Sequence, residues 1–330
     1  MALSDARQQG AADGARPAAD AAAAAEAVER LRPDTLTERD IDAGLALSDA
    51  AGWNQTGDDW ALFIRHGRAI GLRDAAGRWV ATAAALPYGH ERGWISMVLV
   101  AEAWRHRGLA SRLLDECVAH LRGAGIVPVL DATPAGAAVY RRLGFVAGFE
   151  IDRWERPALS VWTVAQSAES PSPMPRSSAV EAPPAGASSL AEGADLDVLM
   201  ALDRDATGLD RRFLLASFLS RPETRAWRAD DGRGFVVARS GRRATQIGPL
   251  VAGDPAQAAK LLDIAIAAAT SDDAGRPIFL DLPRAHLALA QGLEHQGFAR
   301  QRPFVRMSLG ASEAPRLGGN LFVLAGPEFG

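Results

Sequence analysis

Two segments of this chain follow one plan, and a repeat of that size leaves few ways to fold. Val127-Pro-Val-Leu-Asp131 runs into a helical pattern that closes on Leu143-Gly144-Phe145. Pro277-Ile-Phe-Leu-Asp281 runs into one that closes on Gln296-Gly297-Phe298. Upstream, Leu99-Val100-Ala101 leads to Leu113-Leu114-Asp115, and Leu250-Val251-Ala252 leads to Leu261-Leu262-Asp263. The 330 residues therefore read as two diverged copies of one domain, a length that suits two cores better than one. Residues 1–28, Ala-rich without an amphipathic period, are expected to be a disordered tail. Residues 166–189, rich in Pro, Ser and Ala, are expected to be an extended linker. That leaves a first domain over 29–165 and a second over 190–330.

In the first domain, residues 37–50 read as a helix, and 67–73, 79–86 and 94–100 as strands, with Ala75-Ala76-Gly77 turning between the first two. A helix over 108–123, a strand over 127–131 and a helix opening at Pro134 follow, proline taking its favoured first position. Residues 145–162 should supply closing strands. The succession predicts an α/β class fold (an α+β mixed sheet) with helices on both faces.

Composition excludes several chemistries. A net charge of −4 leaves no basic footprint for nucleic acid, and no apolar run approaches the roughly 20 residues that span a bilayer. The start of the chain lacks the basic end and apolar stretch of a secretory signal. The one cysteine, Cys117, forbids an internal disulfide and falls on an apolar helical stripe; a cytoplasmic setting is expected. Lys260 is the only lysine and follows no glycine-rich loop, which argues against a Walker-type site or a Schiff base. The six histidines show no His-x-x-x-His spacing, so no metal is expected. A phenolic acid must be Tyr88 or Tyr140.

The most telling local feature is the passage from strand 94–100 through Arg105, Gly108 and Ala110 into a helix whose apolar stripe carries Leu109, Leu113, Leu114, Cys117, Val118 and Leu121. The first backbone N–H groups of a helix have no internal partner and sit at the positive end of its dipole, so this junction can hold an anion. Gly108 would let a phosphate approach; tight helix–strand packing is the other reason for a glycine there. From Val100 to Leu113 is 13 residues, but from Val251 to Leu261 only 10. The second copy has Gly253-Asp254-Pro255 where the first has this loop, a carboxylate and a proline where phosphate would want bare N–H groups.

The spacing Arg105-x-x-Gly108-x-Ala110, followed by strand 127–131 and by Tyr140-x-x-x-Gly144-Phe145, resembles the GNAT superfamily of acyl-CoA N-acyltransferases. The second half is similar to the GNAT-like C-terminal domain of two-domain bacterial acetyltransferases through Ile247–Ala252, Leu280–Pro283, Arg302–Met307 and Ala325–Gly330. Leu47–Thr56 with Asp59-Trp60 resembles the entry region of that group. The resemblance implies tandem GNAT folds, the second degenerate, and direct transfer of acetyl from acetyl-CoA to a small amine.

Carried over by position, the backbone of Val98, Leu99 and Val100 would pair with the pantetheine arm. The amides of His106, Arg107, Gly108, Leu109, Ala110 and Ser111 would hold the pyrophosphate, with Arg105 and Arg107 supplying charge. Tyr140 would be the general acid for the leaving thiolate, or else a packing aromatic. The general base stays open. Strand 94–100 lacks a carboxylate, Ser96, placed by alternation on the face of Val98 and Val100, could hold a relaying water, and Asp131 ends a strand beside the cleft unless it caps the next helix. His90 and Glu91 sit at the far end of the hairpin.

Acceptor contacts are expected from Trp53, Asn54, Asp59, Trp60 and Tyr88, although the tryptophans also suit a core. From the second domain the candidates are Asp281, Arg306 and Glu328; a charge at Arg306 inside an apolar strand needs a partner, for which Asp281 is available. Two other functions fit the same motifs. One is a non-catalytic acyl-CoA-binding regulatory module, prompted by the missing strand carboxylate. The other is a protein N-acetyltransferase, which would need an open cleft. Neither nucleic acid nor membrane is an expected partner, and a homodimer is compatible with the sequence.

Overall fold

The structure, a computed structural model, describes residues 26–158, 187–189, 196–310 and 314–330. Most of the expected tail and linker lies outside these residues. Residues 26–28, expected to end a disordered tail, are helical, and Ala187–Ser189 is a strand rather than linker.

In the first half β1 (Arg32–Thr35) precedes helices α1 (Ile41–Ala50) and α2 (Gly57–His66). The hairpin strands β2 (Arg68–Arg73), β3 (Trp79–Tyr88) and β4 (Arg92–Val100) follow, then α3 (Leu109–Gly123), β5 (Val127–Ala132), α4 (Pro134–Arg142) and β6 (Phe145–Arg156). The second half comprises β7 (Ala187–Ser189), α5 (Leu196–Thr207), α6 (Arg212–Leu219), β8 (Arg225–Ala229), β9 (Phe235–Ser240) and β10 (Thr245–Val251). It continues with α7 (Pro255–Asp272), β11 (Ile278–Pro283), α8 (Leu287–His295), β12 (Ala299–Leu309) and β13 (Leu321–Val323). The helices form where the sequence carries an apolar stripe, and some open on a clear terminus signal. In α3, Leu109, Leu113, Leu114, Cys117 and Leu121 are buried. In α4, Thr133 accepts a hydrogen bond from the Gly136 amide and Pro134 opens the helix.

Among the described residues thirteen strands form one sheet in the order β1-β2-β3-β4-β5-β12-β6-β11-β10-β9-β8-β7, with β13 added beside β10. Helices α3, α4, α7 and α8 cover one face. Helices α1, α2, α5 and α6 cover the other together with Leu321, Leu324, Ala325 and Phe329.

The order holds an exchange that the sequence expectation lacked. Strand β12 of the second half lies between β5 and β6 of the first, and β6 lies between β12 and β11. Only one closing strand of the first half is described where several were expected, because the second half supplies the other. The exchange relates the halves by an approximate two-fold, and two buried ion pairs mark it. Arg306 grips Asp131 with two hydrogen bonds of 2.8 Å. Arg153 grips Asp281 with bonds of 2.9 and 2.8 Å. Arg306 stands as far beyond Phe298 as Arg153 stands beyond Phe145. The partner of Arg306 is thus Asp131, not Asp281, because the exchanged strand sits in register with β5.

Candidate active site

Strands β4 and β5 are parallel neighbours only from Arg92–Trp94 and Val127–Val129. Beyond that they separate, and the cause lies within β4. Against β3, Thr82 stands opposite Leu99 while Ala84 stands opposite Ser96, so β4 carries one extra residue. Met97 takes up the excess at φ +54°, and the Thr82 hydroxyl donates to its carbonyl at 3.0 Å. A bulge of this kind bends its strand. It also reverses the alternation: Ser96 lies opposite Ala84, in the core of the α1–α2 face, whereas Val98 and Val100 pack toward α3. The expectation that Ser96 shares a face with the two valines is therefore corrected.

The opening beyond the bulge is a cavity of about 200 Å³, bounded by Ser96, Val98, Asp131 and Tyr140 of the first half and by Arg302 and Glu328 of the second. On the α3 side, β4 lacks a β5 partner along Val98–Val100, although the Val100 carbonyl accepts from Arg105 Nε at 3.2 Å. A one-turn helix at Glu102–Trp104 follows, then His106 at φ +62° and Gly108 at φ +74°. A Cβ on Gly108 would meet nothing within 4 Å. Helix–strand packing is therefore not its reason; the left-handed backbone is. No side chain caps α3, and Arg112 is the first residue to bond back, to the Gly108 carbonyl at 3.1 Å. The amides of Leu109, Ala110 and Ser111 thus precede the helical ladder, and Gly108 and Ala110 are exposed. Arg107 lies over the Trp104 ring at 5.1 Å and donates to the Ala103 carbonyl.

Tyr140 reaches the cavity from α4, its ring 5.8 Å from that of Phe145. A Cβ on Gly136 would stand 3.1 Å from the Tyr140 ring, so this glycine makes room for it. Burial pushes the Tyr140 phenol up, which keeps it protonated. Asp131 does not cap α4, a task Thr133 performs. Burial pushes the Asp131 carboxyl up against the pull of Arg306, and its side chain is wholly shielded. A carboxylate held by two guanidinium bonds is poorly placed to accept an acceptor's proton.

Several acceptor candidates prove to join the halves. Asn54 accepts from the amides of Arg243 and Ala244 at 2.8 and 2.9 Å. Asp59 completes the capping box that Thr56 opens on α2 and pairs with Arg221 at 2.8 Å, and Trp60 is fully buried, donating to Ser48. Tyr88 is buried and donates to the Phe329 carbonyl at 2.8 Å, so it cannot face the cleft. Asp281 and Arg306 are committed to the two ion pairs. His90 and Glu91 are exposed at the β3–β4 turn, away from the cavity. Trp53 and Glu328 do line it.

The sequence reading missed Gln55, Arg153, Arg302 and Phe304, which line the same cavity. The signal for Arg153 was its match to Arg306 in the repeat. Gln55 is only 4% exposed, and its Oε1 has no hydrogen-bond partner among the described residues; neither does the buried Ser96 hydroxyl.

The fold and the cleft define a tandem α/β protein with an open wedge beside an uncapped helix N-terminus in its first half. Residues 33–145 match the acetyltransferase (GNAT) family model, and residues 199–323 match a second acetyltransferase (GNAT) domain model. Both halves belong to the GNAT superfamily, so the chain is a tandem GNAT protein of the acyltransferase class. Among solved structures, a Pyrococcus horikoshii protein assigned to the acetyltransferases is similar with TM-score 0.71 at 18% identity, over 91% of this chain and 96% of that one. A tandem GNAT protein from the clavulanic acid biosynthesis pathway gives 0.58 at 17% identity, over 86% and 100%. A GCN5-related N-acetyltransferase from Sphaerobacter thermophilus gives 0.54 at 15%, over 88% and 98%. These identities speak to fold alone. No curated protein sequence matches this chain significantly. No helix among the described residues is long and apolar enough to cross a membrane.

Proposed function

We propose that this protein transfers the acetyl group of acetyl-CoA directly to the nitrogen of a small amine, in the wedge of its first half. The observation that carries the proposal is the parting of β4 from β5 beside the uncapped N-terminus of α3. Pantetheine would lie along Val98–Val100 as an added strand. The pyrophosphate would rest on the amides of His106–Ser111, where Gly108 allows close approach and the helix dipole favours negative charge. Tyr140, kept neutral by burial, would give its proton to the departing sulfur. The acceptor would enter from the side of Trp53 and Gln55. The cavity is small and Pro327 and Glu328 form part of its wall, which favours a small molecule over a protein segment.

The test is release of CoA thiol from acetyl-CoA in the presence of a panel of primary amines. The single cysteine of the chain, Cys117, gives little background, because burial pushes its thiol up to about 12. The wild type should release thiol with at least one amine. Tyr140→Phe should lower turnover by about 10²-fold or more with unchanged cofactor affinity. Equal turnover in the variant would reduce Tyr140 to packing, and wild-type thiol release that no amine stimulates would refute amine transfer.

A further inference from the structure

The two wedges of this molecule differ in what fills them. In the second half β10 and β11 pair through Thr245–Ile247 and Ile278–Leu280 and then part, as β4 and β5 do. Here the gap holds β13. Leu250 and Val251 pair with Val323 and Leu321, the Ala252 amide donates to the Asn320 carbonyl at 3.0 Å, and the Leu324 amide donates to the Asp281 carbonyl at 3.0 Å. The chain thus places its own strand where the first half has room for a pantetheine arm. Beyond it, α7 begins with Asp254 accepting from the Gln257 amide and with Pro255 at its first turn, which closes the anion site too.

From this slot the chain runs on through Ala325–Gly330 into the cleft of the first half, and it is fixed at each step. The Ala325 carbonyl accepts from Arg239 at 2.7 Å. Phe329 stacks on Phe63 at 5.2 Å and meets Phe218 edge-on at 5.5 Å, while its carbonyl holds the Tyr88 hydroxyl. Arg211 donates to the Gly330 carbonyl. Between these anchors Glu328 lines the cavity, its side chain 11% exposed.

Other buried carboxylates are closely held. Asp59, Asp131, Asp152, Asp203 and Asp281 each have a guanidinium nitrogen between 2.5 and 2.9 Å. The contact of Glu328 with Arg239 is 3.9 Å, and no side chain among the described residues hydrogen-bonds it. The same cavity wall holds the two unpartnered oxygens, Gln55 Oε1 and Ser96 Oγ. A loosely held carboxylate with two neutral acceptor oxygens matches the three N–H donors of a primary ammonium group.

We propose that Glu328, carried on a strap seated in the second half's self-filled cofactor slot, binds the ammonium of a cationic primary amine and takes its first proton. The inference rests on the transfer reaction proposed above and names its acceptor class. The ammonium passes one proton to the Glu328 carboxylate, which later gives it to solvent. The freed nitrogen lone pair forms the N–C bond to the acetyl carbon as the C–S bond breaks, its electron pair leaving with sulfur. The nitrogen gives up a second proton, and the sulfur receives one through Tyr140, so amide, CoA thiol and one solvent proton balance the ammonium and the thioester. Burial pushes the Glu328 carboxyl up, opposed by Arg153, Arg239 and a hydrogen bond from its own backbone amide and aided by Asp59. Arg302 on β12 and Tyr88 on β3 also interact with its charge.

The test compares the wild type with Glu328→Gln, which keeps size and polarity but cannot take up a proton. Thiol release with ethanolamine, butylamine and amino-acid amides would be followed from mildly acid to alkaline pH, with calorimetric titration of acetyl-CoA into both proteins. The expected result is equal cofactor affinity and a loss in kcat/KM of about 10²–10⁴-fold. The wild-type profile should rise through the raised carboxyl ionisation, and that limb should be absent from the variant. Wild-type kcat/KM with an unchanged profile in Glu328→Gln would overturn the inference and leave the transfer reaction standing. A wild type that binds acetyl-CoA but acetylates none of these amines would contradict the cationic acceptor. Failure of the wild type to bind acetyl-CoA would remove the transfer reaction itself, and loss of binding in the variant alone would overturn the assignment of Glu328 to the acceptor.

Discussion

Arg306 and Arg153 show how one residue can determine which strands meet. Each guanidinium lies in a strand that crosses to the other half, and each meets a carboxylate that is completely shielded from solvent. A buried pair adds little net stability, since desolvation cancels much of the attraction, but breaking one leaves an uncompensated charge. Asp131→Asn should therefore cost ~3–5 kcal/mol of unfolding free energy. Asp131→Asn combined with Arg306→Met, which removes both charges, should recover much of that loss. Denaturant unfolding of the single and double variants checks this; a single variant as stable as the wild type would mean that the pair does not hold the exchanged strand.

At the scale of elements, the positions of helices and strands were legible because burial imposes a period. The stripe from Leu109 to Leu121 fixes α3, and the matching Leu-Gly-Phe and Gln-Gly-Phe ends of α4 and α8 expose the repeat. Partnership was not legible. A strand that pairs within its own half has the same pattern as one that pairs across, so nothing in 145–156 or 299–309 announces the exchange. The Met97 bulge escaped notice because one extra residue alters register without altering composition, and with it went the face of Ser96. Strand β13 is three residues long, too short to show a period, yet it accounts for the filled wedge of the second half. That the second half does not repeat the Arg105–Ala110 loop was readable from Asp254 and Pro255, because a capping carboxylate and a proline are local chemistry. Of the residues the sequence singled out, Tyr140 and Glu328 line the cavity and Gly108 stands at the start of α3. The sequence reading assigned to the acceptor several residues, Asn54, Tyr88 and Asp281 among them, that bind the halves together, since a buried polar residue looks alike in either role.

The exchange makes the halves of the whole molecule interdependent. Without β6, strands β11 and β12 would lose their common neighbour and expose unpaired edges. Residues 190–330 alone should not form a stable folded monomer, whereas a chain cleaved once within 159–186 should stay associated and keep its activity. Size-exclusion chromatography with thiol release on the cleaved protein checks both; separation of the fragments into folded monomers would contradict the exchange. The central claim, that the first half alone holds the cofactor, is tested most directly by calorimetric titration of acetyl-CoA into the full-length wild type, Gly108→Ala and Gly108→Glu. Both substitutions carry the ~1–2 kcal/mol cost of a left-handed non-glycine residue, but only glutamate sets a negative charge against the pyrophosphate. Binding by the wild type and the alanine variant, lost in the glutamate variant with a melting temperature matching that of alanine, is the predicted result. Undiminished affinity in Gly108→Glu, or no binding by the wild type, would contradict the account.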